Sequence, residues 1–474
     1  MSDYTLLTGP TGLLGRYLLH DLLRAGHRVA VVVRPSDKQT AAERIESILQ
    51  FWESDGSTLL PRPVCFEGDI TEEFLGLDHE ARQWVAKHCS SVLHNAAALK
   101  FHEEANGEPW RTNVEGTRHV LQLCHDTGIK RIHYVSTAYV CGTRSDTIME
   151  DTLDSGQLFR NDYEKSKLEA ETMVRGDSHF DQVTIYRPAV IAGDSQTGYT
   201  NTYHGLFMYL KLMAVLVRNT EPDSDGVRHT PLELTVTGDE PRNVIPVDWT
   251  SAVITHLFST PQSHGRTFHL APSTRMTARQ MIEAGYSYFN SAGVEFVGPA
   301  KECPEYGMDR DTYENSMMYR DYEGSDPEFD TTNLRHFAAH LPCPTIDEPM
   351  LHRFMKFGEE DRWGKRREKP AKVPFVVEDF LSSLIGTAPE LNELTPTNGE
   401  KHVGLDVCGP GGGQWTVTFA GERVVAYQPG ISSGCGRVLT FDSPNLSELA
   451  AGNATSLESQ YSRQIQSSAC SVQR

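Results

Sequence analysis

The stretch YTLLTGPTGLLGRYLLHDLLRAG (4–26) decides the fold class. Its first five residues are an apolar run of strand length. Leu13, Leu14, Tyr17, Leu18, Leu22 and Leu23 then recur at helical spacing, and Gly26 supplies a stop. Between the two lie Gly9, Gly12 and Gly15. A strand, a glycine turn and a helix in this order form a seat for a dinucleotide pyrophosphate. The free N–H groups and positive dipole end of the helix face the phosphates. The loop residues predicted to meet the cofactor are Gly9, Thr11, Gly12, Leu13, Leu14 and Gly15.

The rhythm continues downstream. HRVAVVVRP (27–35), VCFEGDI (64–70), SVLHNAA (91–97), RIHYVST (131–137) and VTIYRP (183–188) read as strands. Helical patterns separate them, among them TNVEGTRHVLQLCHDTG (112–128). Alternation of this kind predicts an α/β chain with a doubly wound parallel sheet. Ligands gather at the carboxyl ends of such strands, so Asp69, Asn95, Ser136 and Pro188 are expected around one crevice. The second strand ends at Arg34, and Arg44 follows. Guanidinium groups there suit a 2′-phosphate, which predicts NADPH over NADH.

Tyr163 and Lys167 are four residues apart and therefore share a helix face. A lysine ammonium beside a phenol is expected to lower the tyrosine pKa and to fit it for proton transfer to a carbonyl oxygen. Glycine loop and Tyr-x-x-x-Lys pair together predict hydride transfer involving a nicotinamide.

With these pieces in order, the first 290 or so residues resemble an extended short-chain dehydrogenase/reductase. The matching segments are TGPTGLLG (8–15), GDIT (68–71), HNAA (94–97), TNVEGT (112–117), VSTAYV (135–140), YEKSK (163–167) and RPAVIAGD (187–194). The resemblance implies a Rossmann-type sheet with a smaller substrate lobe. It implies that Asp69 and Ile70 meet the adenine and that Asn95, Ala96 and Ala97 line its ribose. Tyr163 would donate the proton and Lys167 would hold the nicotinamide ribose. Ser136 or Thr137 would bind the substrate carbonyl, Asn113 would support the relay, and Pro188, Ala189, Val190 and Ile191 would run beside the nicotinamide. Within that group, RPAVIAGDSQTG (187–198) and VSTAYVCG (135–142) are similar to thioester reductases and fatty acyl-CoA reductases. The implied reaction is NADPH-dependent reduction of an acyl thioester, on CoA or a carrier protein, to an aldehyde or onward to an alcohol. Two other readings stand beside it. One is an extended-family oxidoreductase or epimerase acting on a sterol-like or sugar-nucleotide substrate. The other is a non-catalytic NADPH- or lipid-binding protein.

Length and composition set the remaining bounds. The chain has 474 residues, with 38% hydrophobic and 23% charged residues and a net charge of −20, which speaks against nucleic acid as a partner. Nine cysteines without a C-x-x-C pair predict no metal site. The chain opens directly on a strand and has no long apolar run, so no signal peptide or membrane span is expected, and the location is expected to be cytoplasmic. GLFMYLKLMAVLV (205–217) reads as a core helix or as the wall of an acyl tunnel.

The expected organisation is an NADP-binding domain over 1–300, with lobe segments 191–242 and 266–362. A basic linker follows at 363–374, within RWGKRREKPAK (362–372), which reads as solvated chain or as a docking patch for CoA phosphates or an acidic carrier. The hairpin QWTVTF (414–419) and RVVAY (423–427), the strand RVLTF (437–441) and the helix PNLSELAAGN (444–453) resemble a sterol-carrier-protein-2-like module over 375–460. Tethered by the linker, it would raise the local concentration of a lipid-like substrate; alternatively it packs over the crevice. The tail 461–474 is expected to be disordered.

Overall fold

Tyr4–Thr8 (β1) is buried at all five positions, as an apolar run must be in a sheet covered on both faces. In this computed structural model, which describes residues 4–54, 58–298, 324–366, 371–389, 394, 396 and 400–451, β1 lies in the middle of a seven-stranded sheet. The other strands are β2 (Arg28–Val33), β3 (Val64–Glu67), β4 (Cys89–His94), β5 (Arg131–Val135), β6 (Gln182–Pro188) and Thr267–Leu270, which sequence reasoning missed. Their order is Thr267–Leu270, β6, β5, β4, β1, β2, β3, and every pairing is parallel. The order reverses between β1 and β4, so the crevice opens beyond Thr8 and His94.

Helices α1 (Leu13–Arg24), α2 (Ala41–Glu53), α3 (His79–His88), α4 (Gly116–Thr127) and α5 (Asp162–Gly176) make the crossovers. The predicted helix over 112–128 has two parts: Arg111–Glu115 is a π-helical turn, and α4 ends at Gly128 in the left-handed region. The strands predicted to reach Ile70, Ala97 and Thr137 end earlier, at Glu67, His94 and Val135, so the residues after them form the loops of the crevice.

The substrate lobe has a core of its own. α6 (Leu206–Arg218) packs against α8 (Ala278–Tyr288), the helix Glu348–Glu360, and a parallel pair of strands, Arg228–Leu234 and Ser291–Phe296. Leu206, Phe207, Met213, Leu232, Met281 and Phe354 fill the space between them. α7 (Val247–Phe258) packs on α1 and fastens the lobe to the sheet.

The carboxyl-terminal segment forms a four-stranded mixed sheet in the order Arg423–Pro429, Gly413–Ala420, His402–Cys408, Arg437–Asp442. Helices Val377–Leu384 and Ser443–Ala450 accompany it. Its central strand, His402–Cys408, was not expected from the sequence. Val403, Leu405, Val407, Trp415, Val417, Phe419 and Leu446 form a closed core.

The module's position departs from both expectations. It neither hangs on a free tether nor covers the crevice. It is docked on the amino ends of the strands, opposite the crevice. The phenol of Tyr4, the first residue of β1, donates to Gln414 Oε1 at 2.6 Å and accepts from the Ile431 N–H at 2.9 Å. Trp84 on α3 donates to the Pro429 carbonyl at 2.7 Å. The linker is also pinned: Gln50 on α2 exchanges two hydrogen bonds with the main chain of Lys372. Residues 299–323 and the expected tail 461–474 lie outside the described residues. Among the described residues, no helix is long and apolar enough to cross a membrane.

Candidate active site

The glycine loop has the backbone a pyrophosphate seat requires. Gly9 has φ of +67°, and a Cβ there would stand 2.7 Å from the Ala96 Cα. A Cβ on Gly15 would stand 1.9 Å from the Gly9 carbonyl oxygen, so only glycine lets α1 approach the turn. The Gly12 N–H bonds the Gly9 carbonyl and closes the loop around Thr11. Gly12 is the N-cap of α1 and supplies no side-chain cap, which leaves first-turn N–H groups for an anion. Leu13 and Leu14 line the cavity beneath. These features fit a dinucleotide cofactor.

The far end of that seat lies beside β2. Arg34 and Arg44 come together there: Arg44 donates to the Arg34 carbonyl at 2.5 Å, and Arg34 Nη1 lies 3.6 Å from Asp69 Oδ2. Burial, with Arg34 and Arg16 nearby, holds the Arg44 guanidinium below its ordinary pKa. An anion placed among these cations would relieve their repulsion. Asp69 Oδ1 accepts from the Thr71 N–H at 2.9 Å. Ile70 turns its buried side chain against Gly116, and its carbonyl meets His119 Nδ1 at 2.9 Å.

The chain after β4 is held by Thr8. The Thr8 hydroxyl accepts from the N–H groups of Asn95 and Ala96, both at 3.2 Å, so its own proton goes to His94 Nδ1 at 2.7 Å. His94 Nε2 then donates to Thr117 Oγ1 at 3.1 Å, and that hydroxyl donates to the Asn113 carbonyl at 2.6 Å. Burial and the nearby Lys167 push the His94 imidazole down to about 3, so the ring stays neutral. Asn95 also donates from Nδ2 to the Gly9 carbonyl at 3.2 Å, which locks the two loops together.

Tyr163 and Lys167 stand on the first turns of α5, which Asn161 caps by accepting from the Glu164 N–H. The two side chains do not pair as expected. Lys167 Nζ donates to the Tyr134 phenol at 2.8 Å and to the Val135 carbonyl at 2.9 Å. Burial lowers the Lys167 ammonium to about 7 against the opposing pull of Glu171. The Tyr163 phenol is pushed up to about 12, mainly by burial, and a hydrogen bond with Thr137 only partly offsets this. Desolvation prevails and keeps the phenol neutral at physiological pH.

The structure separates the two hydroxyls that the sequence left equivalent. Thr137 pairs with Tyr163. Ser136, which also borders the cavity, donates to Glu171 Oε2 at 2.6 Å. Glu171 in turn accepts from Arg187 Nη2 at 2.7 Å and from Arg175 Nε at 2.8 Å, and both Glu171 and Arg187 are fully buried. This ion cluster joins β5, α5 and β6 beneath the reacting groups. Sequence reasoning did not find it, although Glu171 lies one helical turn beyond Lys167 and Arg187 opens the RPAVIAGD segment. Asn113 spends its amide on Ala98 and Ser166: Oδ1 accepts from the Ala98 N–H at 2.8 Å, and Nδ2 donates to Ser166 Oγ at 2.9 Å. Ser166 donates to the Tyr163 carbonyl, so Asn113 acts on the Tyr163 turn through Ser166.

Leu13, Leu14, Ser136 and the Tyr163–Thr137–Lys167 set face a cavity of about 460 Å³. Asn95, Ala97, Thr137, Tyr163, Lys167 and residues 188–191 line its inner end. Beyond them it runs along α6, past Leu206, Phe207, Leu212, Met213 and Leu216, and faces Leu232, Met276, Met281 and Ile282. The 205–217 segment is therefore both core and tunnel wall.

Fold and site together define an oxidoreductase-type nucleotide-binding chain of the extended short-chain dehydrogenase/reductase class. The chain belongs to the male sterility protein family, whose model matches residues 7–254. It is 27% identical over 406 residues to the aldehyde reductase lnaA of Aspergillus flavus, covering 77% of this chain and 37% of that protein. It is 31% identical over 214 residues to the NRPS-like oxidoreductase fscA of Fusarium equiseti, covering 44% of this chain and 20% of that one. The chain thus spans about a third or less of these relatives' length. Among solved structures, the terminal R domain of the myxalamid PKS-NRPS pathway is similar, with 25% identity and a TM-score of 0.63, over 77% of this chain and 93% of that one. A thiolation-reductase di-domain from an archaeal non-ribosomal peptide synthetase shares the fold at 20% identity and a TM-score of 0.58, over 77% of each chain.

Proposed function

We propose that this chain reduces an acyl thioester to an aldehyde with NADPH, taking the acyl group from a carrier-protein pantetheine arm. The observation that carries the proposal is a cavity in which Leu13 and Leu14 at the start of α1, the Tyr163–Thr137–Lys167 set and a mostly apolar tunnel meet. The lining beyond the reacting groups is mostly apolar, with Thr200, Thr202, His204, Glu233, Arg242 and Asp326 among its polar members. A carrier-borne substrate accords with the similar proteins, which include a non-canonical nonribosomal peptide synthetase and, among solved structures, a thiolation-reductase di-domain.

The glycine loop and α1 would hold the pyrophosphate, Arg34 and Arg44 the 2′-phosphate, and Lys167 the nicotinamide ribose. The cofactor supplies a hydride. Thr137 and Tyr163 hold the thioester carbonyl oxygen, and the charge that develops on it is met by the two hydroxyls. The Tyr163 phenol, neutral at physiological pH, is the proton source at that oxygen, and Lys167, titrating near neutrality, can refill it. Re-formation of the carbonyl breaks the C–S bond, and the proton lost from the oxygen leaves on the sulfur, so that aldehyde and free thiol are released. The Glu171–Arg187 cluster keeps the ends of β5 and β6 in register under these groups. In this reading the docked carboxyl-terminal module is a structural buttress of the sheet rather than the sterol-carrier-like delivery domain its sequence resembles.

The test follows NADPH absorbance and thiol release together on acyl-pantetheine substrates. Wild type should consume one NADPH for each thiol freed. Tyr163→Phe should lose turnover while still binding NADPH. NADPH consumption without thiol release would refute the thioester reading.

A further inference from the structure

α6 and α8 touch at one close point beside the tunnel. The Met213 thioether lies directly on the main chain of Gly285: a Cβ built there would stand 2.6 Å from the Met213 Sδ and 2.7 Å from its Cε. Gly285 is buried within α8 and has an ordinary helical setting, so no turn or unusual backbone angle calls for glycine. The absence of a side chain is what gives Met213 its place. Met213 also lines the cavity. Its tip is therefore held against α8, out of the tunnel, by the gap at Gly285.

The position along the tunnel matters. The wall begins at Gly205, which lies against Val190 beside the reacting groups. Met213 stands eight residues further along α6, or about 12 Å at the rise of an α-helix. It lines the cavity two turns along α6 from the end of the helix that meets Val190.

We propose that Met213 and Gly285 together set the length of acyl chain the tunnel accepts, with Gly285 as the recess that keeps the methionine clear. This rests on the acyl thioester reading above. Methionine is unbranched and flexible, so a side chain at position 285 would displace the Met213 tip rather than separate the helices. The space available to that tip is the tunnel. Gly285→Ala should therefore shorten the tunnel at its distal part, and Met213→Ala should lengthen or widen it there. Each methylene denied burial should cost about fourfold in binding. Short chains that end before Met213 should be unaffected.

The experiment compares wild type, Gly285→Ala and Met213→Ala on butanoyl, octanoyl, dodecanoyl and hexadecanoyl pantetheine thioesters. In parallel, the matching free fatty acids displace cis-parinaric acid from each protein. Alanine favours the interior of α8 more than glycine does, so Gly285→Ala should fold, and melting curves will check both variants. The expected result is a selective fall in kcat/KM and displacement for the longest chains in Gly285→Ala, with butanoyl turnover unchanged. Met213→Ala should shift the optimum toward longer chains. An equal change at every chain length, or none, in both readouts overturns the proposal. Chain-length shifts in displacement without turnover of any thioester would support the length gauge and refute the reductase reading.

Discussion

The division of labour between Ser136 and Thr137 gives the sharpest test of the site. The two hydroxyls are adjacent in sequence, but one faces a buried carboxylate and the other the reacting tyrosine. Ser136→Ala removes one hydrogen bond to Glu171, which keeps its contacts with Arg187 and Arg175. A bond to a charged group contributes about 1.5–3 kcal/mol, so the variant should lose stability of that order and keep most of its turnover. Thr137→Val removes a donor from the carbonyl site, which should lower kcat by about 10²–10³-fold. It also removes the hydroxyl that accepts from the Tyr139 N–H, a cap typically worth about 1 kcal/mol. Thr137→Ser keeps a hydroxyl and should recover both. The assay pairs steady-state turnover on an acyl-pantetheine with urea unfolding of the same preparations. If Ser136→Ala lost turnover a hundredfold without losing stability while Thr137→Val remained active, the assignment would be reversed and the reasoning from hydrogen-bond partners refuted.

Three further outcomes follow from the geometry. Arg34→Ala and Arg44→Ala should weaken NADPH binding by about 1.5–3 kcal/mol each and leave NADH nearly unchanged; calorimetry showing equal wild-type affinity for the two cofactors would remove the 2′-phosphate assignment. Lys167 has a folded pKa of about 7, below the unfolded value of 10.5, so its burial penalty is fully present below pH 7 and disappears as the pH rises toward 10.5. The melting temperature of Lys167→Met relative to wild type should accordingly fall between pH 6 and pH 10, and a flat difference would mean the ammonium is not buried. Tyr4→Phe strands the Ile431 N–H and Gln414 at the module interface, for a loss of about 1–3 kcal/mol for each group left unsatisfied; a hydrogen-exchange map with no change in residues 400–451 would contradict the docking.

The sequence by itself determined the parallel sheet and the glycine turn, and it singled out Thr137, Tyr163 and Lys167, which the fold brings to one cavity. These are local properties. A buried parallel strand needs a continuous apolar run, a pyrophosphate turn needs Gly9 and Gly15, and a helix places Tyr163 and Lys167 one turn apart. Spacing along one chain segment is enough to read them. What it left undecided or misread depends on contacts between segments far apart in the chain. The phenol pKa rises because burial is a property of the assembled cavity, and Lys167 bonds Tyr134 because β5 happens to pass beneath α5. Ser136 and Thr137 both border the cavity and differ in the partner each hydroxyl finds, Glu171 for one and Tyr163 for the other. The strand Thr267–Leu270 is short and pairs with β6 across about eighty residues, so no local pattern announces it. The docking of the carboxyl-terminal module rests on Tyr4 meeting Gln414 and Ile431 more than four hundred residues away. Hydrophobic period and turn chemistry act within a few residues, whereas desolvation, hydrogen-bond partner and interface are set only when the segments are packed together.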